Sequence, residues 1–250
     1  MLTLFSYQLP YTALALLMLV AFSVGMAKTG VHGISMLAIP VLALIFGGKI
    51  SSGLMLPMLI IADLFAVKYY HRHANWGYLR KIFPWAGMGV VIGTVIGNNI
   101  DDQMFVHVMG AIIFVSIGVL IWMEKTNKEH IPDHLWFAAL MGLLGGITSM
   151  IGNAAFAVMA LYLLSMRLPK NEYIATSAWF FLAINLFKVP FHVFSWNTIT
   201  VDSLLLNFLT IPLILLGAFA GIWVVKRLPE KQYRRFIIGM TLITSLMMFV

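Results

Sequence analysis

Two glycine-rich segments of the chain carry residues suited to holding an anion. The first is Lys28-Thr29-Gly30-Val31-His32-Gly33-Ile34-Ser35. The second is Gly145-Gly146-Ile147-Thr148-Ser149-Met150-Ile151-Gly152-Asn153. Glycine permits sharp turns and close approach of backbone to a ligand. A helix that restarts after such a turn aims unpaired N–H groups and the positive end of its dipole at whatever lies there. That arrangement suits an oxyanion and needs no charged side chain. Gly30, Gly33 and Gly152 would supply backbone donors. Thr29, Ser35, Thr148, Ser149 and Asn153 would add neutral side-chain donors. His32 would add one that titrates near neutral pH. The competing reading is that these glycines serve only close helix packing, as small residues do in lipid. Their recurrence at matched places in the chain favours binding.

Few ionisable residues fall inside apolar stretches. Asp63 and Lys188 are the clearest, and Lys28 opens the first glycine segment. Buried charge in lipid is costly, so such groups usually face a partner or a water-filled path. Lys188 follows Asn185 by three positions and lies near its helix face, where the two can meet a substrate and offset its charge. Asp63 can carry a coupling proton. The plainer alternatives are a snorkelling lysine, a structural ion pair, and a Lys28 that only marks a helix end. His71, His73, His130 and His134 fall in expected loops, and His192 lies near a span end. No cluster of His and carboxylates has metal-ligand spacing, and the 17 methionines read as apolar filler. With no cysteine, thiolate chemistry is excluded. No nucleotide loop, serine elbow or paired-carboxylate motif is present, so neither enzymatic activity nor a cofactor is expected.

These residues must be positioned by membrane-spanning helices. Of 250 residues, 61% are hydrophobic and 10% charged, with a mean hydropathy of +0.95. A soluble domain needs more polar surface than this. The sequence predicts an all-α, polytopic protein with spanning stretches at Leu4–Met26, Thr29–Phe46, Ser51–Val67, Ile82–Asn98, Phe105–Met123, Leu135–Ile151, Gly152–Ser165, Tyr173–Phe194, Leu204–Val225 and Phe236–Val250. Thr29–Phe46 and Gly152–Ser165 are short and follow the glycine segments, which predicts broken or re-entrant helices. The N-terminal stretch reads as retained rather than cleaved. Trp and Tyr near span ends, such as Trp76, Tyr78, Trp136, Trp196 and Tyr233, mark interfacial belts.

The chain also repeats itself. Pro84, Gly89 and Gly93 are spaced as Pro212, Gly217 and Gly221. Asp63-Leu64-Phe65 matches Asn185-Leu186-Phe187, and Gly33 matches Gly152. Two transmembrane repeats follow, 1–125 and 126–250. The loop after the third stretch is basic (Lys68, Arg72, Arg80, Lys81), whereas its counterpart Ser195–Ser203 has no Lys or Arg. After the fourth stretch the bias reverses, with Lys226, Arg227, Lys231, Arg234 and Arg235 in the second copy. By the positive-inside rule the halves are inverted. Inverted repeats with discontinuous helices are a recurrent carrier design. The net charge of +7 is thereby assigned to topology and not to nucleic acid.

The segment Gly30-Val31-His32-Gly33-Ile34-Ser35-Met36-Leu37-Ala38-Ile39-Pro40-Val41-Leu42 resembles the "G-x-G-G-G…V-P-L-L" signature of the TauE/SafE, sulfite exporter-like, permeases. The Asp63 helix, the Pro84–Gly97 helix and the second copy from Gly145 follow in that family's order. Three positions depart from its pattern. His32 stands where glycine is usual, Met159 stands at the counterpart of Pro40, and Asp63 stands where asparagine is common. The resemblance implies movement of small anions such as sulfite or sulfonates by alternating access, without a cofactor. The expected partners are the anion, a coupling proton or sodium ion, the bilayer of a bacterial inner membrane and a second copy as homodimer. An intramembrane enzyme, a metal-handling assembly factor and a passive channel are the rival readings.

Overall fold

The computed structural model describes residues 2–5, 7–31, 38–108, 111, 115, 134–229 and 232. It is all-α apart from a small hairpin, β1 (Leu2–Leu4) and β2 (Tyr7–Leu9), paired antiparallel with Leu2 opposite Leu9. Among the described residues the delimited α-helices are α1 (Tyr11–Lys28), α2 (Ala38–Phe46), α3 (Gly48–Tyr70), α4 (Trp76–Asn98), α5 (Leu135–Gly152), α6 (Phe156–Ser165), α7 (Lys170–Pro190) and α8 (Val201–Arg227). A π-helical turn, Phe191–Ser195, extends α7. Among the described residues six helices are long and apolar enough to cross a membrane: α1, α3, α4, α5, α7 and α8. The protein is therefore a multi-pass membrane protein.

The expected first span, Leu4–Met26, is corrected at its start. Pro10 is extended and fixes the N-terminus of α1 at Tyr11, so Leu2–Leu4 and Tyr7–Leu9 pair as the hairpin instead. Residues 102–108 are helical, and the rest of the Phe105–Met123 stretch lies almost wholly outside the described residues, as does Phe236–Val250. The two short helices, α2 and α6, each follow a long one, as the glycine segments predict. The second break falls at the end of its glycine segment, next to the expected boundary between Leu135–Ile151 and Gly152–Ser165. α5 runs unbroken through Gly145 and Gly146 to Gly152, and the chain turns only at Asn153, which is left-handed with φ 51°. Asparagine is the best non-glycine residue for that turn.

Two close seams hold the bundle. Along one, α1 lies on α8: Gly25 faces the carbonyl of Ile214, Gly217 that of Phe22, and Gly221 that of Met26. Along the other, α5 lies on α4: Gly146 faces the carbonyl of Ala86, Gly89 that of Leu143, and Gly93 that of Ile147. Small residues let backbones approach where lipid offers no hydrophobic drive for association. The two sets correspond position for position. Phe22, Gly25 and Met26 are spaced as Leu143, Gly146 and Ile147, and Ile214, Gly217 and Gly221 as Ala86, Gly89 and Gly93.

Contacts one turn apart rise together, from Phe22–Gly217 to Met26–Gly221 and from Leu143–Gly89 to Ile147–Gly93, so α1 is parallel to α8 and α4 to α5. α3 also runs with α8, placing Phe65 against Phe219. α4 turns back from α3 through residues 71–75, so α1 and α5 point in opposite directions. Between the seams, α3 and α7 cross the centre antiparallel: Asn75 meets Thr176, Asp63 meets Asn185, and Gly53 meets Thr198.

Candidate functional site

The central α3–α7 contact gathers the buried charge. Asp63 on α3 is fully buried. Lys28 at the end of α1 sits 3.0 Å from its Oδ1 and 3.3 Å from its Oδ2. The Asn185 amide on α7 donates to the same Oδ2 at 2.6 Å. The Lys28 ammonium also lies 4.0 Å from the centre of the Phe181 ring, a cation–π contact that partly replaces lost hydration. Asp63 and Asn185, matched in the sequence, thus touch one another, while their neighbours Leu64, Leu186 and Phe187 face outward.

A second cluster forms at the turn that ends α5. Lys188 is completely buried, and its Nζ donates to the Ser149 carbonyl at 3.0 Å and to Asn153 Oδ1 at 2.6 Å. The left-handed turn is what swings Asn153 toward α7. The Asn153 amide donates in turn to the Ser52 carbonyl at 3.1 Å and to Ser52 Oγ at 3.3 Å. Asn185 and Lys188 stand three positions apart on α7, so the two clusters lie side by side along that helix. Phe181, Asn185 and Lys188 recur at helical spacing, which makes one face of α7 the wall common to both.

Of the residues expected to act, Lys28, Asp63, Asn185, Lys188, Ser149 and Asn153 are brought together, Ser149 through its carbonyl. Thr148 is turned away, its hydroxyl donating to Leu144 of its own helix at 2.8 Å. Thr29 is likewise spent on structure, donating to the Ala218 carbonyl at 3.0 Å across the α1–α8 seam. Gly30 has φ +121°, a conformation that favours glycine, and turns the chain out of α1. Gly152 is the buried last residue of α5. His32, Gly33 and Ser35 lie outside the described residues. Ser52 and Phe181 were not singled out from the sequence. A serine pair opening an apolar span, Ser51-Ser52, was the available signal.

Among the described residues, Lys28–Asp63 is the ion pair of this centre, and Lys188 has only neutral acceptors. No three His, Asp or Glu side chains among the described residues gather closely enough to hold a metal. Removing one member of a buried pair leaves the other uncompensated, at a cost of about 3–5 kcal/mol, whereas replacing both by apolar groups is often neutral. Asp63→Ala is thus expected to lower the thermal midpoint of the purified protein sharply, and Lys28→Met/Asp63→Leu to restore most of it. A double variant whose loss equals the sum of the two single losses would show that the pair is not coupled.

The family model described as sulfite exporter TauE/SafE matches residues 16–248. No curated protein and no solved structure gives a significant match to the chain.

Proposed function

This chain belongs to the sulfite exporter TauE/SafE family, a family of membrane transporters of the anion type, and from that premise we propose that it is a secondary carrier of small sulfur-containing oxyanions such as sulfite or sulfonates. The observation that carries the reading is Lys188. Among the described residues the buried Lys188 ammonium bonds only neutral oxygens and no carboxylate pairs with it directly, and buried charge without a paired counter-charge is strongly disfavoured. A bound oxyanion supplies that charge. Two of the three Nζ protons are engaged, which leaves one to donate to it.

Alternating access is supported by the paired seams. Two sets of glycine contacts at corresponding positions, on helices that run in opposite directions, are what two inverted repeats of 1–125 and 126–250 would produce. In this reading each seam is a rigid wall, and the α3–α7 pair is where the two half-sites meet. Asp63, held by Lys28 and Asn185, is the group placed to exchange a coupling proton as the substrate arrives at Lys188. The loop carrying Arg72 faces the cytoplasm of a bacterial cell by the positive-inside rule, and the Lys188–Asn153 cluster lies toward the opposite side. Sodium coupling and a homodimer are compatible with this arrangement.

Counterflow in proteoliposomes tests the reading. Vesicles loaded with unlabelled sulfite should accumulate labelled sulfite transiently, without ATP, and the flux should saturate. Failure to exchange sulfite and a simple sulfonate would remove the sulfur assignment. Flux without counterflow would point to a channel.

A further inference from the structure

Asn153 is tied to three helices at once. Its backbone ends α5 in the left-handed region, with φ 51° and ψ 22°, and its N–H donates to the Ser149 carbonyl at 3.1 Å. Its side chain bridges α7 and α3. The Oδ1 accepts from Lys188 Nζ at 2.6 Å, and the Nδ2 donates to the Ser52 carbonyl at 3.1 Å. The amide can face only one way. An ammonium has no acceptor and a main-chain carbonyl has no donor, so the oxygen must meet Lys188 and the nitrogen must meet Ser52.

Lys188 therefore meets two acceptors from a single turn, the Ser149 carbonyl at 3.0 Å and the Asn153 carboxamide. Both belong to the carboxyl end of α5, where a helix carries only a partial negative charge. Two fixed acceptors locate the ammonium and set the direction of its remaining N–H. Neither neutralises it. A carboxylate at position 153 has nearly the size and shape of the carboxamide. It accepts the same hydrogen bond and pairs with Lys188 as an ion. Aspartate also takes a left-handed turn. The donation to the Ser52 carbonyl is replaceable, because Ser52 Oγ lies 3.3 Å from the same side-chain nitrogen and a hydroxyl there can donate to a carboxylate. Turn, size and hydrogen bonding all admit aspartate, yet the residue is neutral.

We infer that Asn153 is a positioning residue whose neutrality sets the affinity of the carrier: it holds and aims Lys188 without pairing with its charge, and so leaves that charge to the oxyanion. With its oxygen on Lys188 and its nitrogen on Ser52, Asn153 acts through the ammonium and not as a direct ligand. This inference rests on the carrier reading above. A carboxylate in its place is a built-in competitor for Lys188, and it also repels the arriving anion.

The test is sulfite binding by calorimetry to the purified protein, with thermal unfolding of the same samples, for wild type, Asn153→Asp and Asn153→Gly. Aspartate keeps the hydrogen bond to Lys188 and adds a charge. Glycine keeps the left-handed turn and removes both side-chain contacts. Asn153→Asp should weaken sulfite binding by more than about 10-fold, the lower end for a hydrogen bond to a charged group, while its thermal midpoint without sulfite stays above that of Asn153→Gly. Asn153→Gly should lose only about 2- to 10-fold in affinity, the range for an ordinary hydrogen bond. A purely structural role predicts the opposite order of binding, because aspartate preserves more of the contacts. Wild-type affinity in Asn153→Asp, or weaker binding by Asn153→Gly than by Asn153→Asp, overturns the assignment and leaves the carrier site standing. If Asn153→Asp fails to fold, Asn153→Gly decides: binding within 10-fold of wild type supports the assignment, and a greater loss in folded protein overturns it. Absence of sulfite binding by wild type overturns both this inference and the carrier reading.

Discussion

Lys188→Ala is expected to abolish sulfite uptake into proteoliposomes while leaving the protein folded. The anion would lose a charge-assisted hydrogen bond and the cation that has no paired carboxylate among the described residues. Truncating one partner of a desolvated charge pair costs about 2–5 kcal/mol, or roughly 30-fold to several thousand-fold in affinity. Stability should move the other way or not at all. The substitution removes a buried ammonium that no carboxylate among the described residues pairs with directly, while the Ser149 carbonyl and Asn153 Oδ1 lose one donor each. A raised or unchanged thermal midpoint together with lost transport identifies Lys188 as a ligand. A collapsed midpoint would make it a structural strut. Lys188→Arg should be intermediate, because the broad guanidinium cannot take the place of a compact head held between two oxygens.

The second large effect is a contrast between adjacent residues. Gly146→Val should destabilise the protein severely, since its new Cβ runs into the Ala86 carbonyl and the backbone of Gly89. Neither can move without parting α4 from α5, and overpacking of this kind costs about 1–3 kcal/mol or more. Gly25→Val should do the same by parting α1 from α8 at Ile214. Gly145→Ala should be tolerated or mildly stabilising. Its Cβ would meet Phe180 and Val158 at an ordinary 3.8 Å, and alanine is favoured over glycine within a helix by up to ~1 kcal/mol. Thermal unfolding of the variants in one detergent decides this. Equal tolerance at positions 145 and 146 would refute the seam.

The same glycine pair shows where the sequence is readable and where it is not. Hydropathy located the long helices well, because spanning lengths are set by the bilayer, and the glycine spacings of α4 and α8 reported real close approaches. Gly145-Gly146 lies inside the expected span Leu135–Ile151 although glycine in water disfavours helix. In lipid the backbone has no better partner than its own helix, so the pair persists as a packing surface, and Asn153 makes the turn instead. Periodicity gives little help in a chain whose helices are apolar both toward lipid and toward the core. Asp63 and Lys188 stood out because charge is rare here. Ser52 did not, since what distinguishes it is contact with the end of α5, and that contact has no signature along the chain.

The seams also set an order of assembly. Each joins a helix of one half to a helix of the other, so neither half alone contains a complete seam. During synthesis α1 is made early, yet the backbone it packs against, around Ile214 to Gly221, emerges only near the end of translation. Until then α1 sits in the bilayer with its small-residue groove open, and α4 waits likewise for α5. The halves are therefore obligate co-folders: cleaved between residues 125 and 126 and expressed separately, each should be short-lived, and only co-expression should recover a stable, extractable protein.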